Sequence, residues 1–123
     1  MLGYKQMARS RFNKQVKLDR IKKLRSLMLI HSYIYYHLDD NLVTDHRWQE
    51  WANELRDLQE QFTETIAYYD EYFKSWTGST GMHLPANTWV KTLAQRLIAY
   101  RDKQEAVRRE TRRPVRRRRR KTN

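Results

Sequence analysis

Cysteine is absent from this sequence of 123 residues, and there are only two prolines and three glycines. The absence of cysteine excludes disulfides and cysteine-ligated metal sites, and it is compatible with a reducing compartment. Scarce proline and glycine favour long helices over a β fold with many turns. No apolar run approaches the roughly 18 residues that a membrane-spanning helix needs. The first residues also lack the apolar segment of a secretory signal.

Positive charge is plentiful and is sorted to the two ends of the chain. Lys and Arg number 26 against 14 Asp and Glu, a net charge of +12. Residues 1–25 hold nine Lys and Arg with one Asp, and residues 108–123 hold ten with one Glu. Residues 26–107 hold seven Lys and Arg against twelve acidic residues, a net charge of −5. This segregation predicts two basic ends that hold a phosphate chain around a neutral-to-acidic centre.

Apolar residues recur at steps of three and four in three stretches of the chain, the first of which runs from Phe12 to Ile34. This periodicity predicts an all-α fold. The short turn at Asp39–Asn41 predicts that the first two helices form an antiparallel hairpin, to which a third helix is added. The Arg-rich tail, residues 108–123, has no apolar stripe, so we expect it to be disordered unless a partner orders it. The expected helices are 5–38, 45–75 and 88–107, within a helical domain of residues 1–107.

The basic first helix and the Arg-rich tail are the candidate nucleic-acid interface. Arginine donates paired hydrogen bonds to phosphate and stacks on exposed bases. Binding to several phosphates releases counterions, so affinity should fall steeply with salt. The alternative is a solubilising tail that attracts any polyanion. The predicted contact residues are Arg9, Arg11, Lys14, Lys17, Arg20, Lys22, Lys23, Arg108, Arg109, Arg112, Arg113, Arg116, Arg117, Arg118, Arg119, Arg120 and Lys121.

Catalytic and metal-binding signatures are weak. No histidine pair is spaced for zinc, and no Ser-His-Asp set or carboxylate pair stands out. His37, Asp39, Asp45 and His46 surround one turn, but Asp-rich turns are common without metal, so we expect no metal site. The turn Gly78–Gly81 could offer backbone N–H groups to a phosphate, but it lacks the ending of a P-loop and is more typical of a plain connection. The sequence therefore predicts a protein that is not an enzyme.

Aromatic and acidic residues at the first turn form a familiar pattern. Tyr33, Tyr35 and Tyr36 end the first helix, Asp39 stands in the turn, and Thr44–Asp45 begin the next helix. With Asn53-Glu54-Leu55 further on, this order resembles the N-terminal helical subdomain of bacterial NAD-dependent DNA ligases, which binds the nicotinamide mononucleotide half of the cofactor. The resemblance covers roughly residues 20–62 and is of the kind found in small ligase-like bacteriophage proteins. It includes no nucleotidyltransferase domain and no K-x-D-G motif, so it implies no ligase activity.

The resemblance implies a nucleotide pocket formed by Tyr35, Tyr36, Asp45 and Trp48. Two positions depart from the family pattern D-x-x-Y-D. Trp48 replaces its tyrosine, which keeps a stacking surface and loses a hydroxyl. Gln49 replaces its last aspartate, which removes a charge-assisted contact worth about 1.5–3 kcal/mol. We therefore expect the hairpin to be retained and the pocket to have become core or partner surface.

Three functions remain open from the sequence. The first is a phage-encoded protein of the bacterial host cytoplasm that binds RNA, DNA or a ribonucleoprotein, in a specific version as an anti-CRISPR-like inhibitor of a defence nuclease. The second is a ligase-like module that binds nicotinamide mononucleotide or NAD without catalysis. The third is a phage structural or DNA-packaging protein. Only the second would require a cofactor.

Overall fold

A computed structural model describes residues 4–112, and these residues confirm the all-α class. The elements are α1 (Tyr4–His37), α2 (Asp45–Glu60), the single turn α3 (Asp70–Phe73) and α4 (Thr88–Arg112). Within this range no helix is both long enough and apolar enough to cross a membrane.

Helix α1 is the central element, and α2 and α4 pack on it in opposite directions. Trp48 at the start of α2 donates from Nε1 to Ser32 Oγ at 3.4 Å, near the end of α1. Lys14, near the start of α1, reaches Glu64 just beyond the end of α2 at 2.7 Å. These two contacts make α1 and α2 antiparallel. On α4, Ala94 packs with Ile30 and Ile34 of α1.

The core has two adjoining clusters of buried side chains. The larger cluster joins α1 to α2 and to the segment that leads into α4, and the smaller one joins the end of α1 to α4. Burial of these apolar groups supplies the main favourable contribution to the free energy of folding. The larger cluster contains Ile21, Leu24, Met28, Leu29, Ala52, Leu55, Phe73, Trp76, Leu84 and Val90. The smaller contains Ile30, Ile34 and Ala94.

The expectation of one helix over residues 45–75 is wrong. Helix α2 ends at Glu60, and an irregular segment leads to α3. In this segment Ala67 and Tyr69 adopt positive φ angles of 60° and 58°. The Asp70 carboxylate accepts hydrogen bonds from Ala67 N at 2.8 Å and from Ile66 N at 3.3 Å, which stabilises the bend.

Arg25 is the reason that the chain bends here. Its side chain lies inside the protein, where an unpaired guanidinium would be very costly. It donates to Asp70 Oδ1 at 2.6 Å, to Tyr68 O at 2.7 Å and to Gln59 Oε1 at 2.9 Å. It also lies 5.3 Å from the Phe73 ring centroid. A continuous helix would carry Tyr68 and Asp70 away from α1, so the bend and the buried cation require each other.

Asp70 is ionised over a wide pH range. Burial raises the pKa of its carboxyl, but the hydrogen bonds from Arg25 and from Ala67 N outweigh burial and leave the pKa below its ordinary value. The Arg25–Asp70 pair is therefore a charged pair at neutral pH, with the arginine as its more deeply buried member.

The other helix boundaries also differ from expectation. Helix α4 continues to Arg112, so the first five residues of the expected disordered tail are helical.

Two apolar side chains near the start of α1 are exposed. Phe12 and Val16 belong to the apolar stripe in sequence, but they are 68% and 49% exposed. For Phe12 the reason is length, because α2 and its following loop cover α1 only as far as Lys14.

Arg101 fastens α4 to the turn between α1 and α2. Its guanidinium donates to both carboxylate oxygens of Asp40, at 2.8 and 2.7 Å, and to Asn41 O at 3.2 Å. These hydrogen bonds, with that from Asn41 N, lower the pKa of Asp40 to about 2. This contact places Arg101, after which every residue of α4 is exposed, beside the turn between α1 and α2.

We predict that Arg25→Met lowers the free energy of unfolding by about 3 kcal/mol or more, because it leaves the Asp70 charge and two acceptors without their partner. Urea denaturation measures this. Arg11→Met, at an exposed position of the same helix, is the matched control and should change stability by no more than about 0.5 kcal/mol. A loss below about 1 kcal/mol in Arg25→Met would contradict the role given to this residue.

We predict a second, pH-dependent effect at Asp40. Because its pKa in the folded protein is about 2, below its ordinary value of 3.8, its contribution is complete above pH 4 and is lost as pH falls towards 2. The difference in Tm between the unsubstituted protein and Asp40→Asn should therefore shrink over this interval. Asp39→Asn removes a neighbouring carboxylate and controls for net charge. A difference that stays constant from pH 4 to pH 2 would refute the contact.

Candidate functional site

A partly enclosed cavity of about 180 Å³ lies between the end of α1, the following turn and the start of α2. All four residues of the pocket that the resemblance implies, Tyr35, Tyr36, Asp45 and Trp48, line it. These side chains border an open space and do not only fill the core, and the expectation that they form partner surface stays a prediction. The remaining lining residues are His31, Asn41, Leu42, Val43 and Gln49.

Helical spacing explains why these side chains converge. His31 and Tyr35 are four residues apart and share one face of α1. Asp45, Trp48 and Gln49 stand at i, i+3 and i+4 on one face of α2. Thr44 fixes where α2 begins, because its Oγ1 accepts a hydrogen bond from Arg47 N at 3.1 Å. The antiparallel hairpin then turns the two faces towards each other.

His31 is the one buried polar group of the described residues whose side chain has an unpartnered atom, Nδ1. The residue is 9% exposed, and its ring centroid lies 5.4 Å from that of Trp51. Burial lowers the pKa of His31 to about 4, so the imidazole is neutral at pH 7. A buried polar atom without a partner is unusual in a folded protein. Here it belongs to a side chain that lines the cavity.

Gln49 has a structural role at the position where the ligase pattern has an aspartate. Its Nε2 donates to Gly78 O and to Asn53 Oδ1, both at 2.9 Å. Gly78 has a φ of 82° and lies against the Ala52 carbonyl, where a side chain would be strained. A Cβ at Gly81 would collide with Ser32 Oγ. The segment Gly78–Gly81 is therefore a packed connection that closes one side of the hairpin.

Seven of the predicted nucleic-acid contact residues lie on α1, and they divide into two groups. Lys14 forms an ion pair with Glu64, and Lys17 donates a hydrogen bond to Gln61. Arg20 donates two hydrogen bonds, of 2.6 and 2.8 Å, to the carboxylate of Glu54. These three hold α1 to α2 and its following loop. The other four are exposed, and no acidic side chain among the described residues pairs with them. This N-terminal basic surface consists of Arg9, Arg11, Lys22 and Lys23.

A second group of exposed arginines lies on the free end of α4. Every residue from Asp102 to Arg112 is exposed. Arg109 lies 3.9 Å from Glu105. We name Arg108, Arg109 and Arg112 the C-terminal basic surface. Arg113, Arg116–Arg120 and Lys121, which were also predicted to contact nucleic acid, lie outside the described residues.

The two basic surfaces are well separated, because the N-terminal one lies between Arg9 and Lys23 of α1 and the C-terminal one lies beyond the end of α1. Asp40, just beyond the end of α1, meets Arg101 of α4, so α4 runs parallel to α1 and continues past its end. At 1.5 Å per helical residue, the C-terminal surface is about 35 Å from Lys23 and about 55 Å from Arg9. One short nucleic-acid segment therefore cannot touch both.

The residues suggested as metal ligands serve other contacts. His46 Nε2 lies 2.7 Å from Glu50 Oε1 on the outer face of α2. Asp39, with a φ of 50°, forms part of the turn. Among residues 4–112, no group of three or more His, Asp and Glu is arranged to hold a metal ion.

Sequence reasoning found four of the lining residues and missed His31, Asn41, Leu42 and Val43. One signal for His31 was available, since it stands one helical turn before Tyr35 on the same face. The turn residues gave no signal, because their place in the cavity wall depends on how α4 fixes the turn through Arg101.

Comparison of the chain with family models, with curated proteins and with solved structures finds no match in any of the three.

Proposed function

We propose that this protein binds nucleic acid, free or within a ribonucleoprotein, through basic surfaces at its two ends. The observation that carries the proposal is the division of its cations. Those that face the body pair with acidic or amide groups, whereas Arg9, Arg11, Lys22 and Lys23 point to solvent without such partners among the described residues. Cations without acidic neighbours are available for phosphate oxygens.

The middle of the molecule is acidic, so its charge is opposite in sign to that of the basic surfaces. Glu54 and Glu64 form ion pairs with α1. On the outer side of α2, Glu50, Asp57 and Glu60 outnumber Arg47 and Arg56, which pair with the first two, so this side keeps a net negative charge. Phosphates are repelled there and attracted at the ends. A nucleic acid that engages both surfaces must be longer than about 35–55 Å, which corresponds to about 10–16 base pairs at 3.4 Å each.

We predict that replacing Arg9, Arg11, Lys22 and Lys23 together by Gln lowers the slope of log Kd against log salt by about 2–3 on a 24-bp duplex, because each phosphate contact contributes about 0.9. Filter binding from low to moderate salt measures the slope. The expected loss of affinity is largest at low salt.

A control variant distinguishes the effect of where the positive charges lie from the effect of the net charge of the protein. Gln at Arg47, Arg56, Lys91 and Arg96 removes the same four charges from α2 and the first half of α4, and it should leave the slope nearly unchanged. Equal loss in both variants would mean that net charge alone attracts the polyanion. No binding of RNA or DNA by the unsubstituted protein at low ionic strength would refute the proposal.

A second candidate function is a module that binds nicotinamide mononucleotide. The observation that favours it is the convergence of Tyr35, Tyr36, Asp45 and Trp48 on one cavity. With about 180 Å³, the cavity has room for the nicotinamide ring and leaves the ribose and phosphate outside.

For this second candidate we predict heat on calorimetric titration with nicotinamide mononucleotide and a loss of affinity of about 10-fold in Trp48→Ala, because one stacking surface is removed. Trp89→Ala, which removes an exposed tryptophan on α4, is the control and should bind unchanged. Absence of heat at millimolar nucleotide would rule this function out.

A further inference from the structure

The cavity at the end of α1 has the dimensions of a site for one aromatic ring. Its volume is about 180 Å³, and an apolar cavity of about 150 Å³ in another protein accepts benzene. Trp48, Tyr35 and Tyr36 supply aromatic surface, and Leu42 and Val43 supply apolar contact. A flat ring fits this space, whereas a ligand that needs several hundred Å³ does not.

The cavity wall is polar as well as aromatic. Asn41, Asp45 and Gln49 line it beside the aromatic rings. His31 also lines it, but its unpartnered Nδ1 is buried behind the wall surface. A ring that fills the cavity therefore meets hydrogen-bonding side chains around it, which favours a ring with donors or acceptors at its edge, as nitrogen heterocycles have.

The cavity also adjoins the C-terminal basic surface. Asn41 lines the cavity, and its carbonyl oxygen accepts a hydrogen bond from Arg101 at 3.2 Å. Arg108 and Arg112 follow Arg101 at i+7 and i+11, so they continue the same face of α4. They lie about 10 and 16 Å beyond Arg101 along the helix axis. A strand whose phosphates contact these arginines passes within a few nucleotides of the cavity.

We propose that the cavity receives one unstacked base of a single-stranded nucleic acid whose phosphates lie along Arg108 and Arg112. This inference rests on the proposed nucleic-acid function and adds a base-binding pocket to it. Single-stranded sites commonly combine a basic track with aromatic surfaces on which bases stack. The base stacks on Trp48 and Tyr35, and its edge meets the polar side chains of Asn41 and Asp45.

An abasic strand separates base capture from phosphate binding. The full-length protein is titrated with a 12-nucleotide single strand and with a strand of equal length and charge that lacks bases. Base capture predicts that the strand with bases binds about 10-fold tighter or more, because stacking is lost with the bases. The slope against salt should be the same for both strands, since their phosphates are identical.

Variants of the cavity test the residues involved. Asn41→Ala removes a polar side chain from the cavity wall and leaves the backbone carbonyl that Arg101 binds, so the fold should keep its stability while the advantage of the strand with bases falls. Tyr35→Ala removes an aromatic ring that is half exposed at the cavity and should reduce the same advantage. Trp89→Ala is the control and should keep it.

Each result decides one question. If the unsubstituted protein binds both strands equally well, base capture is refuted while phosphate binding stands. If it binds neither strand, the proposed function fails and the inference fails with it. If nicotinamide mononucleotide binds at the cavity without weakening the strand with bases, the cavity serves a free nucleotide and base capture is refuted.

Discussion

A buried guanidinium organises this small protein. Arg25, on α1, lies in the core against the segment after α2, where the desolvation of its charge is offset by three hydrogen bonds, one of them within an ion pair to Asp70. Its partners are Gln59, Tyr68 and Asp70, which end α2 and begin α3. By fixing that bend, it brings Phe73 into the core, and with it the chain that returns past Gly78 to the hairpin. The cavity wall at Gln49 depends on that return.

Pairing within the fold also decides which cations remain for a partner. Side chains that face the body are used to join helices, as Arg20 does with Glu54 and Arg101 with Asp40. Arg9 and Arg11 lie before the part of α1 that α2 covers, so helix length leaves these two arginines without acidic partners among the described residues. The end of α4 likewise extends past the body. Lys22 and Lys23 lie within the covered part of α1 but are exposed. Our proposal assigns phosphate binding to these ends and base recognition to the cavity that adjoins one of them.

Much of this architecture could be read from local sequence, and the exceptions share a cause. Periodicity and the Thr44 cap located α1, the start of α2 and α4, since both depend on near neighbours. The end of α2 was missed because Arg25 and Asp70, 45 positions apart, meet only in the folded chain. The ligase-like pattern grouped Tyr35, Tyr36, Asp45 and Trp48, but the expectation drawn from it was a lost pocket, and only the structure shows that the four line one cavity. Asn41 joins that wall through the contact of α4 with the turn. Sequence likewise could not show which lysines the body would pair.

The most direct measurement is a titration of the isotope-labelled protein with a single-stranded oligonucleotide, followed by amide and side-chain chemical shifts in NMR spectra. The account predicts that the largest shifts occur at Arg9, Arg11, Arg108 and Arg112 and at the cavity side chains of His31 and Trp48. It also predicts that the outer side of α2, around Asp57, stays unchanged. Shifts centred on the outer side of α2 around Asp57, or no shifts at low salt, would contradict it.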